Sequence, residues 1–430
     1  MTVFSIIRLL VALIIAAMSF ALKVSAFPGN TCALKAPAQE ALNVSTSALS
    51  LDHHPFGIAY YTNDIAFLVI RRAVAIFDMS HFTPVLKYQI TVPPDVLAHL
   101  GLSDDDPDSD DYIFHGLGLS PDKKNIYAAG GRGALVLDTE RAVAGRNDSI
   151  VGVLANNGIA GNYSAMVQFT PDNQFVFLAQ EFGSASNGNI GNVEVWKVAR
   201  FANGTVTGSY GGYINLGYAT VGMAFSNDNS KLYVTSEAMG TTPNSTDILT
   251  GIISVLDVAT LKFNPPAALL WAVPAGCHPV RIKLGGCGKR VWVTARESNQ
   301  LLLFDADKLN SNDTANDALI SSTQVGTSPV SLALVGDYVL TADSNRFGYT
   351  NTNAGLTVVN SSSVTSDHLV TFPQIRTGEF PREFGLSPDG KTLLVSEFDG
   401  YAIRAVDVRS LNQQNSYDLP RLRYQGPRRQ

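Results

Sequence analysis

The chain has 430 residues, 45% of them hydrophobic and 16% charged, with a formal net charge of −6 at pH 7. Its basic residues are scattered, apart from a terminal group of Arg421, Arg423, Arg428 and Arg429 that reads as a frayed tail. An acidic balance without a positive footprint excludes nucleic acid as a partner.

Residues 1–26 read as a secretory signal peptide. Arg8 supplies the positive start, Leu9 to Leu22 form an uncharged apolar run of 14 residues, and Val24-Ser25-Ala26 is a small-residue cleavage site. A membrane anchor needs about 20 apolar residues. Neither this run nor any later stretch reaches that length, so the expectation is a secreted chain with no membrane span. Seven Asn-x-Ser/Thr sequons agree with export and are candidate glycosylation sites: Asn43, Asn147, Asn162, Asn203, Asn244, Asn312 and Asn360.

An extension, 27–44, follows and carries Cys32, the first of three cysteines. An odd number leaves one bridge at most and one thiol over. Cys277 and Cys287 fall at opposite ends of one strand and its turn. Ten extended residues span about 30 Å, whereas a disulfide wants its Cα atoms within about 7 Å, so that pair is disfavoured. A bridge from Cys32 to either partner stays open. No Cys-x-x-Cys spacing exists to suggest a cysteine metal site.

From residue 45 onward the chain repeats itself. Ser120-Pro-Asp-Lys-Lys-Asn-Ile-Tyr, Thr170-Pro-Asp-Asn-Gln-Phe-Val-Phe, Ser226-Asn-Asp-Asn-Ser-Lys-Leu-Tyr and Ser387-Pro-Asp-Gly-Lys-Thr-Leu-Leu each join a tight turn to a β-rich run. Proline presets φ, and Asp or Asn closes the turn through its side chain, which predicts a hairpin at each. Degenerate copies start at Tyr60, Leu284 and Leu334. A third strand follows every hairpin and ends at positions 78, 138, 197, 257, 305, 360 and 407, which lie 47 to 60 residues apart. The Asp or Asn closing six of these strands reads as a local turn to the backbone. A fourth, outer strand fits each interval except the last, where either Ser45 to Leu51 or Tyr417 to Tyr424 fills the vacancy. The pattern predicts an all-β chain: a seven-bladed β-propeller of four-stranded antiparallel blades over 45–411, with a tail at 412–430. It is expected to be a monomer.

The pattern Ser-Pro-Asp-Gly-Lys-x-Leu-x-Val-Ser at 387–396, with Leu-Tyr-Val-Thr at 232–235, resembles the YVTN-type propeller repeat. Val291-Trp-Val-Thr-Ala-Arg-Glu-Ser-Asn and Leu340-Thr-Ala-Asp-Ser-Asn-Arg are similar to secreted fungal and bacterial propellers grouped with lactonase-type enzymes. That group includes 6-phosphogluconolactonases and a muconate-lactonizing cycloisomerase. The resemblance implies a fold more than an activity, because one fold hosts many functions.

Propeller geometry puts the start of each first strand and the end of each second strand on one rim, opposite the Pro-Asp turns. His54, His115, His278, Arg281, Arg382 and Glu383 occupy the first class of position. Glu181, Glu237, Arg296, Glu297, Asp343, Arg346 and Glu397 occupy the second. His115, His278, Glu297, Glu397, Arg296 and Arg382 are the candidate catalytic set, since histidine and carboxylate serve acid–base work and guanidinium grips anions. Arg and Glu on a rim also pair across blades for purely structural ends. A divalent metal could bind such a rim, but no ligand spacing calls for one, and no cofactor is implied. The acidic loop Asp104 to Asp111 lacks the Gly and Glu of a calcium loop, and Gly183 to Gly191 reads as a loop without a phosphate cradle. No Gly-x-Ser-x-Gly elbow occurs. Two functions fit. One is a lactonase-like hydrolase or cycloisomerase of a small acidic or lactone metabolite, with His115 or a glutamate as base and Arg296 or Arg382 holding the anion. The other is a non-enzymatic propeller binding a protein or glycan partner at the rim.

Overall fold

The computed structural model describes residues 32, 35–103, 114–161, 163–239, 250–285, 287–346, 348, 354–364 and 372–413. The signal peptide, the acidic loop Asp104 to Asp111, the sequons at Asn162 and Asn244, and the tail lie outside the described residues.

The repeated turn explains the repeated hairpin. Ser120 donates its hydroxyl to Asp122 at 2.7 Å, and Asp122 in turn accepts the backbone N–H of Lys124. Thr170 with Asp172, Ser226 with Asp228 and Ser387 with Asp389 repeat this bond. The following residue is left-handed in each copy: Lys123, Asn173, Asn229 and Gly390 have φ of 59°, 60°, 57° and 71°. The carboxylates that end the third strands also turn locally. Asp138, Asp257 and Asp305 cap short helices, while Asp78 and Asp407 accept the N–H two residues on. These acids are used up in folding.

Each hairpin extends into a four-stranded antiparallel sheet, and the described residues form seven such sheets. The blades span 55–91, 117–155, 164–215, 218–277, 279–324, 329–376 and 381–407. Of the two candidates for the missing strand, Thr46–Ser50 fills it, pairing antiparallel with Ala402–Asp407. The first and last parts of the chain thus share blade 7, which closes the ring and protects its edge.

Middle strands such as Asn125–Gly130 and Phe175–Gln180 are buried along their whole length, because each blade packs both faces against neighbours. The largest fully buried side chains include Trp292, Tyr127, Tyr233 and Phe67. At the axis the blades touch through backbone. Gly57 donates its N–H to His115 O at 2.9 Å, and Gly116 donates to Ala165 O at 3.1 Å. A Cβ at either glycine would lie 2.4 or 2.6 Å from that carbonyl, so the narrow axis requires glycine there.

The extension is tied down at both ends. Cys32 bridges to Cys277, with Cα atoms 5.5 Å apart, and Cys287 is left exposed as a thiol. Leu42 donates its N–H to Gln374 O, and Gln374 donates its own to Glu40 O, adding a short parallel bridge to the outer edge of blade 6. No helix among the described residues is long and apolar enough to cross a membrane.

Candidate functional site

Inner strands begin at one rim, and several begin with strain. Ala219, His278, Ser328 and Phe380 have φ of 50°, 52°, 54° and 50°. Three of them precede a proline, in His278-Pro279, Ser328-Pro329 and Phe380-Pro381. A left-handed L-residue costs about 1–3 kcal/mol, and such strain persists where the surroundings enforce it. At His278 it swings the imidazole over the channel mouth.

There the ring joins a buried polar triplet. Glu237 Oε2 accepts from Arg296 at 2.8 Å, His278 Nδ1 lies 3.2 Å from the same oxygen, and Arg296 lies 3.1 Å from that nitrogen. Burial opposes ionisation of Glu237, but the Arg296 guanidinium and His278 outweigh it and hold the carboxyl below its usual range. Glu237 is therefore an anion locked to a cation.

Glu181 differs. It directly follows Phe175–Gln180, the second strand of blade 3, and no hydrogen bond to its carboxylate is made among the described residues. Burial, reinforced by the Glu237 charge, pushes it up to about 7 despite Arg382, Arg281 and Arg296 nearby. The group is poised between acid and base at neutral pH.

Both glutamates, with His278, Arg296 and Arg346, border a cavity of about 500 Å³ at the mouth, walled also by Phe182 and Tyr218. A narrower space of about 40 Å³ continues down the channel and shares Glu181, Glu237, Arg296 and Arg346 with it. Its walls are the second residues of inner strands, among them Phe56, Val280, Val330 and Arg382. Arg281 also lines it, donating to Glu383 at 2.9 Å from Nε and to Val221 O at 2.6 Å.

Arg382 has no carboxylate within ion-pairing distance among the described residues. Its guanidinium lies 4.0 Å from the ring centre of Phe56, 5.1 Å from Phe380 and 5.3 Å from Phe398. Burial lowers its pKa to about 10, with the Glu383 charge opposing that fall, so it remains a cation at pH 7, packed against ring faces.

The other rim residues named from the sequence go elsewhere. His115 is 2% exposed, packed edge-on to Phe56 and against Tyr163, with Nδ1 3.1 Å from Ser164 O. Burial, with Arg382 nearby, pulls its pKa down to about 3, so it is a neutral core histidine that does not line the cavity. Glu397 is 2% exposed, ion-paired to Arg404 and accepting the Gly378 N–H, and also stays off the cavity wall. Glu297 sits 3.5 Å from Arg296 Nε at the edge of the triplet. His54 staples blade 1 to blade 7 through Phe398 O at 2.8 Å and the Tyr401 hydroxyl at 2.7 Å. Asp343 is wholly buried among Thr341, Thr357 and Gln374, and burial raises it to about 6. The structure therefore brings together His278, Arg296 and, one layer below, Arg382 from the candidate set. It sets His115 and Glu397 aside.

The aromatic walls were not legible as site residues. Phe56 and Arg382 share a signal, since each follows a proline at the second position of an inner strand, as Val280 and Val330 do. That register aims a side chain into the channel. Nothing comparable marks Phe182 or Tyr218. Among the described residues, no group of three or more His, Cys, Asp or Glu is arranged to hold a metal ion.

No family model matches the chain, and no curated protein matches it in sequence. Solved structures do match in shape. A Kuenenia stuttgartiensis hydrazine synthase structure superimposes with a TM-score of 0.59 over 84% of this chain and 97% of that one, at 12% identity. A chain of a mitotic checkpoint complex gives 0.58 over 90% and 99%, also at 12% identity. The likeness is one of fold alone.

Proposed function

We propose that the channel mouth is a site for a small organic anion, and that the chain acts there on a lactone or acidic metabolite as a hydrolase or isomerase. One observation carries this reading. Arg382, a cation with no carboxylate within ion-pairing distance among the described residues, and Glu181, a carboxylate titrating near neutrality, border the same channel. Among the described residues that line it, the guanidiniums of Arg281, Arg296, Arg346 and Arg382 converge with the carboxyls of Glu181, Glu237 and Glu383, so an anion entering the channel meets a cluster of fixed positive charge. As base, Glu181 takes a proton from water or from substrate carbon. The arginines stabilise the oxyanion that forms at the carbonyl, where fixed charges cost no reorganisation. The resemblance of the repeats to lactonase-type propellers agrees with this chemistry. The apolar N-terminal run, the exposed sequons Asn43, Asn147, Asn203 and Asn312, and the Cys32–Cys277 bridge support an extracellular site of action.

Glu181→Gln should cut lactone turnover by about 10²–10⁴ with KM little changed, as expected for loss of a general base. Arg382→Met keeps the stem in its aromatic cage, and should weaken carboxylate binding by about 10- to 100-fold. Unaltered binding in Arg382→Met would overturn the site. A second reading, a binding propeller without chemistry, is favoured by the Glu237–His278–Arg296 triplet, whose members satisfy one another as structural pairs do. Tight anion binding without turnover of any lactone would select it.

A further inference from the structure

The cavity has a chemical polarity that narrows its ligand. Its ionic groups are Glu181, Glu237, His278, Arg296 and Arg346, whereas Phe182, Tyr218, Ala219 and Ala238 supply an apolar lining, with Asn189 completing it. Phe182 is 42% exposed and borders the same cavity as these ionic groups. The ring is tilted against Tyr163 at 5.6 Å, which in turn is tilted against His115 at 4.5 Å. Hence the ring is held by a neighbouring ring while it borders the cavity.

The loop that carries it is fixed too. Tyr218 donates its hydroxyl to Gly188 O at 3.0 Å, Ser184 donates to Ile159 O at 2.7 Å, and Asn187 donates to Asn215 Oδ1 at 2.8 Å. This glycine-rich stretch, which the sequence marks only as a loop, is the lip of the mouth. A lip pinned by side chains presents Phe182 and Tyr218 at little entropic cost on binding. The volume of about 500 Å³ lies within the usual range for small-molecule sites and far exceeds what a bare carboxylate needs.

We infer that the ligand is an aryl carboxylate: its acid group faces the arginines, its flat ring lies against Phe182 and Tyr218, and Phe182 determines specificity. This rests on the anion-site reading above and adds the identity of the ligand's body. Ring-on-ring contact is worth about three- to tenfold beyond the area it buries.

The test is calorimetric titration of the intact chain with acetate, cyclohexanecarboxylate and benzoate. Benzoate should bind at least threefold tighter than cyclohexanecarboxylate, which matches it in size but is not flat, and more than tenfold tighter than acetate. Phe182→Leu keeps an apolar side chain at an exposed position and should erase the preference for benzoate over cyclohexanecarboxylate. Cyclohexanecarboxylate binding as well as benzoate, or Phe182→Leu retaining the preference, overturns the inference but leaves the anion site standing. If none of the three acids binds, the anion site fails with it.

Discussion

Two glutamates in equivalent positions of adjacent blades have opposite electrostatics, and the difference lies in Arg296 and His278, which hold one of them. Glu237 is gripped by Arg296, and the Coulomb gain outweighs desolvation. Glu181 is desolvated beside that anion with no hydrogen-bonded cation of its own, so its proton stays on until about pH 7. The sign of the pH dependence follows. The folded pKa is raised, so the native state binds the extra proton, and its stabilising effect is complete at low pH. It is lost as pH rises from the ordinary glutamate range through about 7. A bound carboxylate feels the same change, because ionised Glu181 adds a negative charge to its site. Anion affinity should therefore fall across pH 6–8, and Glu181→Gln should flatten that profile. Calorimetric titration at half-unit pH intervals checks this, and a pH-independent affinity in the native chain contradicts it.

At the scale of elements, the strand Thr46–Ser50 performs a task its composition does not advertise. It is mostly exposed, yet it completes blade 7 in register from Thr46 against Val406 to Ser50 against Ala402. The bonds Leu51 N–H to Tyr401 O and Asp407 N–H to Ser45 O fix the alternation, which places Leu49 in a hydrogen-bonded pair with Ile403. Leu49→Pro removes that donor and disturbs the packing of Leu49 on the Ile403 and Ala405 cluster. The expected loss is about 2–4 kcal/mol. Urea denaturation should show a lower midpoint, and a midpoint equal to that of the native chain would mean the ring does not depend on this closure. Hairpins and third strands were legible because their signals are local, as in Ser120 closing on Asp122 within two residues. The site was only half legible because side-chain fate is set across blades. His115 and His278 share a position along the repeat. One is covered by Phe56 and Tyr163, and the other is turned into the mouth by a φ of 52°. Glu397 fits the rim register, but Arg404 on the next strand takes it.

For the molecule as a whole, the N-terminal segment acts as a strap across the last part of the ring. Cys32 fastens it where blade 4 passes into blade 5, residues 40–42 lie along blade 6, and Thr46–Ser50 enters blade 7. The disulfide closes a loop of 245 residues, one that encloses blades 1 to 4. On the chain-entropy account, a link across so long a loop removes about 5 kcal/mol of unfolded-state entropy. That exceeds the worth of any single ladder bond, because its effect lies in the unfolded chain and adds to whatever the strap's own contacts contribute. Cys277→Ser should therefore lower the melting temperature by several degrees, and a reductant should lower the native chain to the same value. Cys287→Ser, which alters an exposed thiol in a turn, should melt with the native chain. Thiol titration adds an independent count. The folded chain should react at one cysteine, and after unfolding in reductant all three should react. A melting temperature indifferent to reductant, with three reactive thiols in the folded chain, would show that the strap is held by its backbone bonds at blades 6 and 7 alone.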